Sequence, residues 1–175
     1  MRLFCIADTH GEKLILDRAG KCDFIFLLGD MGGSYAWQIK DFLLDHPVFE
    51  NRIFSVLGNH DDDLNALSYP WLRFQEYGSI KMISDGNRQC SVLFLPFREH
   101  YSKIVPFPHA DIIISHQPPV TYPGMQGFHK GVPYFGYLRK NMPEAVWIHG
   151  HVHLNCTAQK KHTQSVFGSR IIQIT

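Results

Sequence analysis

Residues 3–10 read LFCIADTH, residues 24–30 read FIFLLGD, and residues 53–61 read IFSVLGNHD. Each stretch is a short apolar run that ends directly in polar residues. A continuous apolar run of this length is typical of a strand that is covered on both faces of a sheet. The stretches between them are longer and less apolar. The first third of the chain therefore predicts the order β-α-β-α-β, which is typical of a layered α/β fold.

Helical and extended patterns continue along the rest of the chain. We predict a short helix over residues 12–20 and a clearer helix over residues 35–46, which Ser34 begins and Pro47 ends. The later elements are a β-hairpin, a strand, a helix, a strand and a closing hairpin. They span residues 80–83 with 89–95, 111–115, 132–141, 145–148, and 165–167 with 170–174.

The composition limits the class of protein. The chain has 175 residues, of which 45% are hydrophobic and 19% are charged, and this predicts one globular domain over residues 1–175. The 17 Lys and Arg residues nearly balance the 16 Asp and Glu residues, which leaves a formal charge of +1. This charge argues against long nucleic acid as a partner but does not exclude it.

No apolar stretch approaches the roughly 20 residues of a membrane helix, so we expect no membrane association. The first residues predict a strand rather than a signal peptide. The four cysteines are far apart and form no CxxC motif, which suits a reducing compartment. We therefore expect a cytoplasmic protein.

Residue types that bind metal ions follow five of the predicted strands. They are Asp8 with His10, Asp30, Asn59 with His60, His116, and His151 with His153. Because ligand sites in α/β sheets form beyond the carboxyl ends of the strands, we expect these side chains to converge. Carboxylate, imidazole and amide groups without thiolate suit Mn, Fe, Zn or Ni, and the number of ligands suits two ions.

Gly29, Gly58 and Gly150 precede three of these groups, where we expect them to let the chain turn sharply. Each signal alone is weak. A single His at a strand end is more often structural, and a single Gly-Asp pair is more often a turn. The set is stronger, because chance would have to supply five independent groups, each at the end of a strand.

In this order the motifs resemble those of the calcineurin-like metallophosphoesterases, whose pattern is DxH, GDxxD, GNH(D/E), H and GHxH. The match runs from residue 8 to residue 153, and SHQPP at residues 115–119 is similar to the H-x-P-P form of small phosphodiesterase-like members. The resemblance implies an α/β fold, a four-layer α/β/β/α sandwich of two packed mixed sheets flanked by helices. It also implies two divalent metal ions, with manganese first and Fe, Zn, Ni or Mg as alternatives.

The resemblance also implies a role for each motif residue. It implies that one ion is bound by Asp8, His10, Asp30 and His153. It implies that the other ion is bound by Asp30, Asn59, His116 and His151, so that Asp30 bridges the two. A hydroxide between the ions would attack phosphorus, and the catalytic His60 would contact a phosphate oxygen or protonate the leaving alkoxide.

Two positions depart from the pattern of the family. Many members carry Asp three residues after the bridging Asp, where it orients the catalytic His, but this chain has Gly33. Ser34 stands where phosphoprotein phosphatases often carry Arg, so we do not expect protein-phosphatase activity. We expect the orientation of His60 to come from Asp61 or Asp62, or to be weaker.

Four further residues are weaker candidates. His149 is either a structural residue or a partner that orients a ligand, and the structural role is favoured. His129, Arg98 and His100 are candidates for substrate contact, with an exposed polar residue as an equal alternative for each.

The sequence therefore predicts a dinuclear metal-dependent phosphoesterase that acts on phosphodiesters or small nucleotides. The alternatives are a phosphomonoesterase of the same fold and a metal-binding scaffold for protein interactions. The sequence indicates neither the physiological substrate nor the oligomeric state.

Overall fold

The computed structural model describes residues 1–61, 69–99, 106–119, 131–155, 157–158 and 162–175. Within these residues the chain forms ten strands and two α-helices. In chain order the strands are Arg2–Ala7 (β1), Phe24–Leu27 (β2), Ile53–Ser55 (β3), Ile80–Ser84 (β4), Gln89–Leu95 (β5), Ile112–Ser115 (β6), Val146–His149 (β7), Thr157–Ala158 (β8), Thr163–Ser165 (β9) and Gly168–Gln173 (β10). The helices are Tyr35–Asp45 (α1) and Pro133–Asn141 (α2), and neither has the length and apolarity to cross a bilayer.

The strands form two mixed sheets. The four-stranded sheet has the order β10-β1-β2-β3, in which β1, β2 and β3 are parallel and β10 is antiparallel to β1. The six-stranded sheet has the order β4-β5-β6-β7-β9-β8. In it β5, β6, β7 and β9 are parallel, and both edge strands are antiparallel to their neighbours. The parallel strands of each sheet therefore present their carboxyl ends at one edge.

Three apolar layers hold the sheets and helices together. Alternate residues of β1 belong to two of them, because successive side chains of a strand point to opposite faces. Leu3 and Cys5 lie in the layer between the two sheets, whereas Phe4 and Ile6 lie in the layer with α1. The third layer joins the six-stranded sheet to α2 and includes Leu93, Ile113, Trp147, Phe135 and Leu138. The predicted four-layer α/β/β/α sandwich is therefore confirmed.

Most of the predicted elements are present with small differences in their bounds. The clearer predicted helix is α1, whose Tyr35, Ile39 and Phe42 are buried against the four-stranded sheet. The predicted hairpin is β4 and β5. Its turn is stabilised by the Asp85 carboxylate, which accepts hydrogen bonds from the backbone N–H groups of Asn87 and Arg88 at 2.9 and 2.8 Å.

The predicted helix over residues 12–20 is wrong. This segment is irregular and ends in a single 3₁₀ turn, Ala19–Lys21. Leu14 is buried and its backbone N–H donates to Gln38 Oε1 at 2.8 Å, whereas the neighbouring Ile15 is 67% exposed. The segment therefore packs on α1 through single residues, and three consecutive apolar residues did not define a helical face.

The predicted closing hairpin is also wrong, because its two halves belong to different sheets. β9 pairs in parallel with β7 in the six-stranded sheet, and β10 pairs antiparallel with β1 in the four-stranded sheet. Between them Val166 is fully buried in the layer between the sheets. The chain therefore crosses from one sheet to the other where the sequence predicts a turn within one sheet.

The inter-sheet layer gives a direct test of the fold. Phe26 is fully buried, and its ring centroid lies 5.6 Å from that of Phe54 and 6.2 Å from that of Phe94. We expect Phe26→Ala to lower the free energy of unfolding by about 3–5 kcal/mol, because it leaves a cavity between the sheets. Urea denaturation measures this change.

Leu44→Ala is the matched control, since Leu44 is 74% exposed on α1 and its removal is expected to change stability by less than about 0.5 kcal/mol. Equal losses in the two variants would contradict the packing described above.

Candidate metal centre

The predicted ligand residues lie just beyond the carboxyl ends of strands from both sheets. Asp8 follows β1 directly, and Asp30 lies shortly after β2. In the six-stranded sheet His116 follows β6 directly and His151 lies two residues beyond β7. The two sheets face each other across the apolar layer, so these loops meet at one edge of the sandwich.

The backbone is in an unusual conformation at these residues. Among the described residues, six that are not glycine have a positive φ angle, and five of them are predicted ligands. Their φ angles are 55° at Asp8, 47° at His10, 55° at Asp30, 70° at His151 and 49° at His153. Left-handed backbone costs free energy for residues with a side chain, and it concentrates at functional sites. The strained backbone is therefore found at the residues that carry the candidate ligand atoms.

Asp8, His10 and His153 form one cluster, which we call the Asp8 group. Their ligand atoms lie within 4.8 Å of one another. His10 Nε2 lies 3.2 Å from His153 Nε2, and His153 Nε2 lies 3.7 Å from Asp8 Oδ1. Asp8 Oδ1 is buried and has no hydrogen-bond partner among the described residues. A buried carboxylate oxygen that faces two imidazole nitrogens fits a divalent cation, which would supply the missing partner.

Asp30, His116 and His151 form a second cluster, the Asp30 group, and all three are buried. His116 Nε2 lies 3.1 Å from His151 Nδ1 and 3.3 Å from Asp30 Oδ2. It also lies 2.9 Å from Asn59 Oδ1. Four nitrogen and oxygen atoms of the types that bind Mn, Fe or Zn therefore lie close together.

The orientation of His116 is set by its other ring nitrogen. His116 Nδ1 donates to the backbone carbonyl of Leu28 at 2.8 Å. Burial opposes the charged imidazole, but the hydrogen bond and charge of Asp30 outweigh it and raise the pKa of His116. Burial likewise opposes the charged Asp30, yet the hydrogen bond with His116 outweighs it and lowers the pKa of Asp30. A bound cation would take the place of the proton between them.

The Asp61 carboxylate holds two of the loops together. It accepts hydrogen bonds from the backbone N–H groups of Asp30 at 2.8 Å, Met31 at 3.1 Å and Gly58 at 2.8 Å. The backbone N–H of His60 in turn donates to Asp30 Oδ1 at 2.7 Å. Asp61 therefore contacts backbone and does not orient the His60 imidazole.

His60 itself is exposed at the rim of the site. Its ring lies edge-on to the ring of His10 with a centroid separation of 5.5 Å. Asp62, the other residue expected to orient it, lies outside the described residues. At Gly33 the φ angle is +50°, and a Cβ there would lie 3.4 Å from the Cα of Gly11. That distance is an ordinary van der Waals contact, so the positive φ angle, and not a lack of space, favours glycine at this position.

The weaker candidates fall in different places. His149 is fully buried at the end of β7, where burial lowers its pKa to about 3, and its Nδ1 donates to the carbonyl of Gly150 at 2.8 Å. It does not belong to either cluster of ligand atoms. Arg98 lies over the ring of Tyr77. His100 and His129 lie outside the described residues.

Two residues at the site were missed by the sequence reasoning. The ring of Phe167 stacks on the imidazole of His153, with centroids 5.2 Å apart and an interplanar angle of 20°. The side chain of Asn155 holds Phe167 through hydrogen bonds to its backbone carbonyl at 2.8 Å and its backbone N–H at 3.0 Å. The Phe167 side chain is 42% exposed beside the site, and no pattern in the sequence indicates this position.

A model of the calcineurin-like phosphoesterases matches residues 1–155 of the chain. The chain belongs to the calcineurin-like phosphoesterase family. The resemblance seen in the motifs is thereby confirmed, and Phe167 lies beyond the matched residues. No curated protein matches this calcineurin-like phosphoesterase.

Similar solved structures include AQ665 from Aquifex aeolicus, a protein of unknown function. It is 17% identical with a TM-score of 0.44, over 95% of this chain and 89% of that chain. They also include GAP50, the anchor in the inner membrane complex of Plasmodium, which is 16% identical with a TM-score of 0.48. That match covers 87% of this calcineurin-like phosphoesterase and 66% of GAP50.

The buried Asp8 carboxylate predicts a stability effect in the metal-free protein. Burial raises the pKa of Asp8 to about 7, against an unfolded value of about 3.9. The folded chain thus keeps this proton where the unfolded chain has lost it, so the stabilising contribution of Asp8 is complete below about pH 4 and lost by about pH 7.

We expect Asp8→Asn to raise the free energy of unfolding at pH 8 in the presence of chelator by about 1–3 kcal/mol, and to have less effect at pH 4. Urea denaturation at the two pH values measures this. Asp41→Asn, at an exposed position on α1, is the control and should change little. A loss of stability at pH 8 in Asp8→Asn would contradict the prediction.

The stacking of Phe167 predicts an effect on metal affinity. We expect Phe167→Ala to weaken the binding of one of two Co²⁺ ions by about tenfold, because the His153 imidazole loses the surface that holds it. A titration with Co²⁺ followed by the visible spectrum measures the binding of the first and of the second ion, and the amount of bound metal is measured separately.

Phe167→Tyr keeps the ring and should retain both binding steps. Equal weakening of both steps in Phe167→Ala, or no weakening of either, would contradict a specific role at His153.

Proposed function

We propose that the chain is a metal-dependent phosphoesterase that uses two divalent ions. The observation that carries this proposal is the direct linkage of the two candidate groups. Asp8 Oδ2 accepts a hydrogen bond from the backbone N–H of His151 at 2.8 Å, and the backbone N–H of His10 donates to the carbonyl of Asp30 at 3.0 Å. Ligands of both groups therefore share one edge of the sandwich, where family membership predicts phosphate-ester chemistry.

The proposed ligand assignment is the one that the family resemblance implies, including Asp30 as the bridge, and the contacts within each group support it. The first ion would be held by Asp8, His10, Asp30 and His153, and the second by Asp30, Asn59, His116 and His151. When bound, the two cations would neutralise phosphate charge and make water a stronger nucleophile at neutral pH. The mixed oxygen and nitrogen ligands favour manganese, with Fe, Zn, Ni or Mg as alternatives.

His60 is the proposed catalytic residue of the chain. Its imidazole is exposed beside His10, where it reaches the side of the site open to solvent. In this position it would donate a hydrogen bond to a phosphate oxygen or a proton to the leaving alkoxide. Solvent contact would let the imidazole regain its proton after each turnover.

Small phosphate esters are the proposed substrates, with phosphodiesters or nucleotides favoured. His10, His60 and His153 are all exposed, so the described part of the site is an open rim that admits a substituent on either side of phosphorus. The formal charge of +1 supplies little of the attraction that long nucleic acid requires. The two alternatives to this proposal are a phosphomonoesterase and a metal-binding scaffold, and the experiment below distinguishes them from it.

The proposal predicts metal-dependent turnover of model esters. Chelator-treated protein is expected to hydrolyse bis(p-nitrophenyl) phosphate after addition of Mn²⁺ and to do so faster than it hydrolyses p-nitrophenyl phosphate. His60→Ala should lower kcat by about 300-fold while two ions stay bound, because it removes a proton donor and no ligand. Asp30→Ala should abolish turnover and reduce the bound metal.

His109→Ala is the matched control, since His109 is exposed and precedes β6 at the opposite end of that strand from His116. Loss of an ion in His60→Ala would overturn its assignment. A preference for the monoester would favour a phosphomonoesterase, and two bound ions without turnover of either ester would favour a scaffold.

A further inference from the structure

A cavity of about 460 Å³ lies beside the Asp30 group, and the proposed metal chemistry leaves most of its lining without a role. Gly58, Asn59 and Asp61 line one part of it. Phe97 and Arg98 line another part, together with Glu99. Because Asn59 is also a proposed ligand of the second ion, this cavity is a direct extension of the proposed active site.

Two contacts position Arg98, whose side chain is exposed. The backbone N–H of the preceding Phe97 donates to the carbonyl of Leu57 at 2.9 Å, which ties this loop to the segment after β3. The guanidinium carbon of Arg98 lies 3.9 Å from the centroid of the Tyr77 ring. A guanidinium stacked on an aromatic face keeps its N–H donors free at its edge, where they suit an anion.

The charge of Arg98 has no carboxylate partner within the described ranges. The ion pairs there involve Met1, His116 and His153 as the cations. The nearby Asp61 carboxylate accepts three backbone hydrogen bonds instead. A guanidinium stacked on an aromatic ring, with no ion pair to a described carboxylate and in a cavity shared with a proposed metal ligand, is suited to bind phosphate.

We propose that Arg98 binds a second phosphate group of the substrate. This inference rests on the proposed function, because it places the phosphate that is hydrolysed at the metal centre and the second phosphate in the cavity. The substrate class is then a small phosphodiester or nucleotide that carries two separate phosphate groups. Arg98 determines this specificity, and Tyr77 positions its guanidinium.

Two substrates that differ in one phosphate test the inference. They are the p-nitrophenyl ester of thymidine 5′-phosphate and the same ester with a phosphate at its 3′ oxygen. With the full chain and Mn²⁺, kcat/KM is expected to be about tenfold higher for the ester with two phosphates, through a lower KM. In Arg98→Met this ratio should fall to about one, and in Arg98→Lys it should be intermediate.

Two control variants separate this effect from a change in overall charge. Arg88→Met removes the same charge from the exposed turn between β4 and β5 and should leave the ratio unchanged. Glu99→Gln removes a negative charge from the same cavity and should keep or raise the ratio. A ratio of one in the native chain, or an unchanged ratio in Arg98→Met, would overturn the inference.

A binding measurement distinguishes failure of this inference from failure of the proposed function. Calorimetric titration of the full chain with thymidine 3′,5′-bisphosphate should show about tenfold weaker binding in Arg98→Met than in the native chain. Hydrolysis of neither ester with any metal would contradict the proposed function, and the calorimetry would still test Arg98. Hydrolysis of both esters at equal kcat/KM would retain the function and overturn the inference.

Discussion

The close approach of the two sheets at their ligand edge is the constraint on which the rest of the site depends. A Cβ atom on Gly150 would lie 2.8 Å from Asp8 Oδ2 and 2.9 Å from the Cβ of Ala7. Gly150 follows β7 of one sheet, whereas Ala7 ends β1 of the other sheet and Asp8 follows it directly. Only a glycine leaves room for this contact, and it brings the backbone of His151 to the Asp8 carboxylate. The apolar layer behind this edge excludes water and strengthens such contacts.

Glycines near the site have two different physical roles, which their positions in the sequence do not distinguish. All three were expected to permit sharp turns. Gly29 has a φ of +93° and fits that expectation, but Gly58 and Gly150 do not have positive φ angles. They are needed for space, since a Cβ on Gly58 would collide with Asp30. Left-handed conformations also occur on five candidate ligands, all of them Asp or His, which adopt this conformation more often than most residues other than glycine.

Much of the fold followed from local patterns, and its errors arose where long-range contacts decide. The buried strands and α1 were predicted because each carries its own periodicity. The C-terminal strands were assigned to one hairpin because a local pattern does not state which sheet a strand joins. At the site, the motif residues were readily found, whereas Phe167 and Tyr77 lie outside the motifs and act by stacking on His153 and Arg98. Such stacking has no spacing rule in the sequence.

The pairing of β10 with β1 has a consequence for how the chain folds. The backbone N–H of Ile174 donates to the carbonyl of Met1 at 2.9 Å, across a separation of 173 residues. Strand pairing over such a distance raises the contact order of the fold, and a higher contact order slows folding. Until residues 168–173 pair with β1, one edge of β1 has unpaired backbone groups that can bind another strand and cause aggregation. The pairing of the strand that presents Asp8 is thus completed only by β10, which is synthesised after all the other described strands.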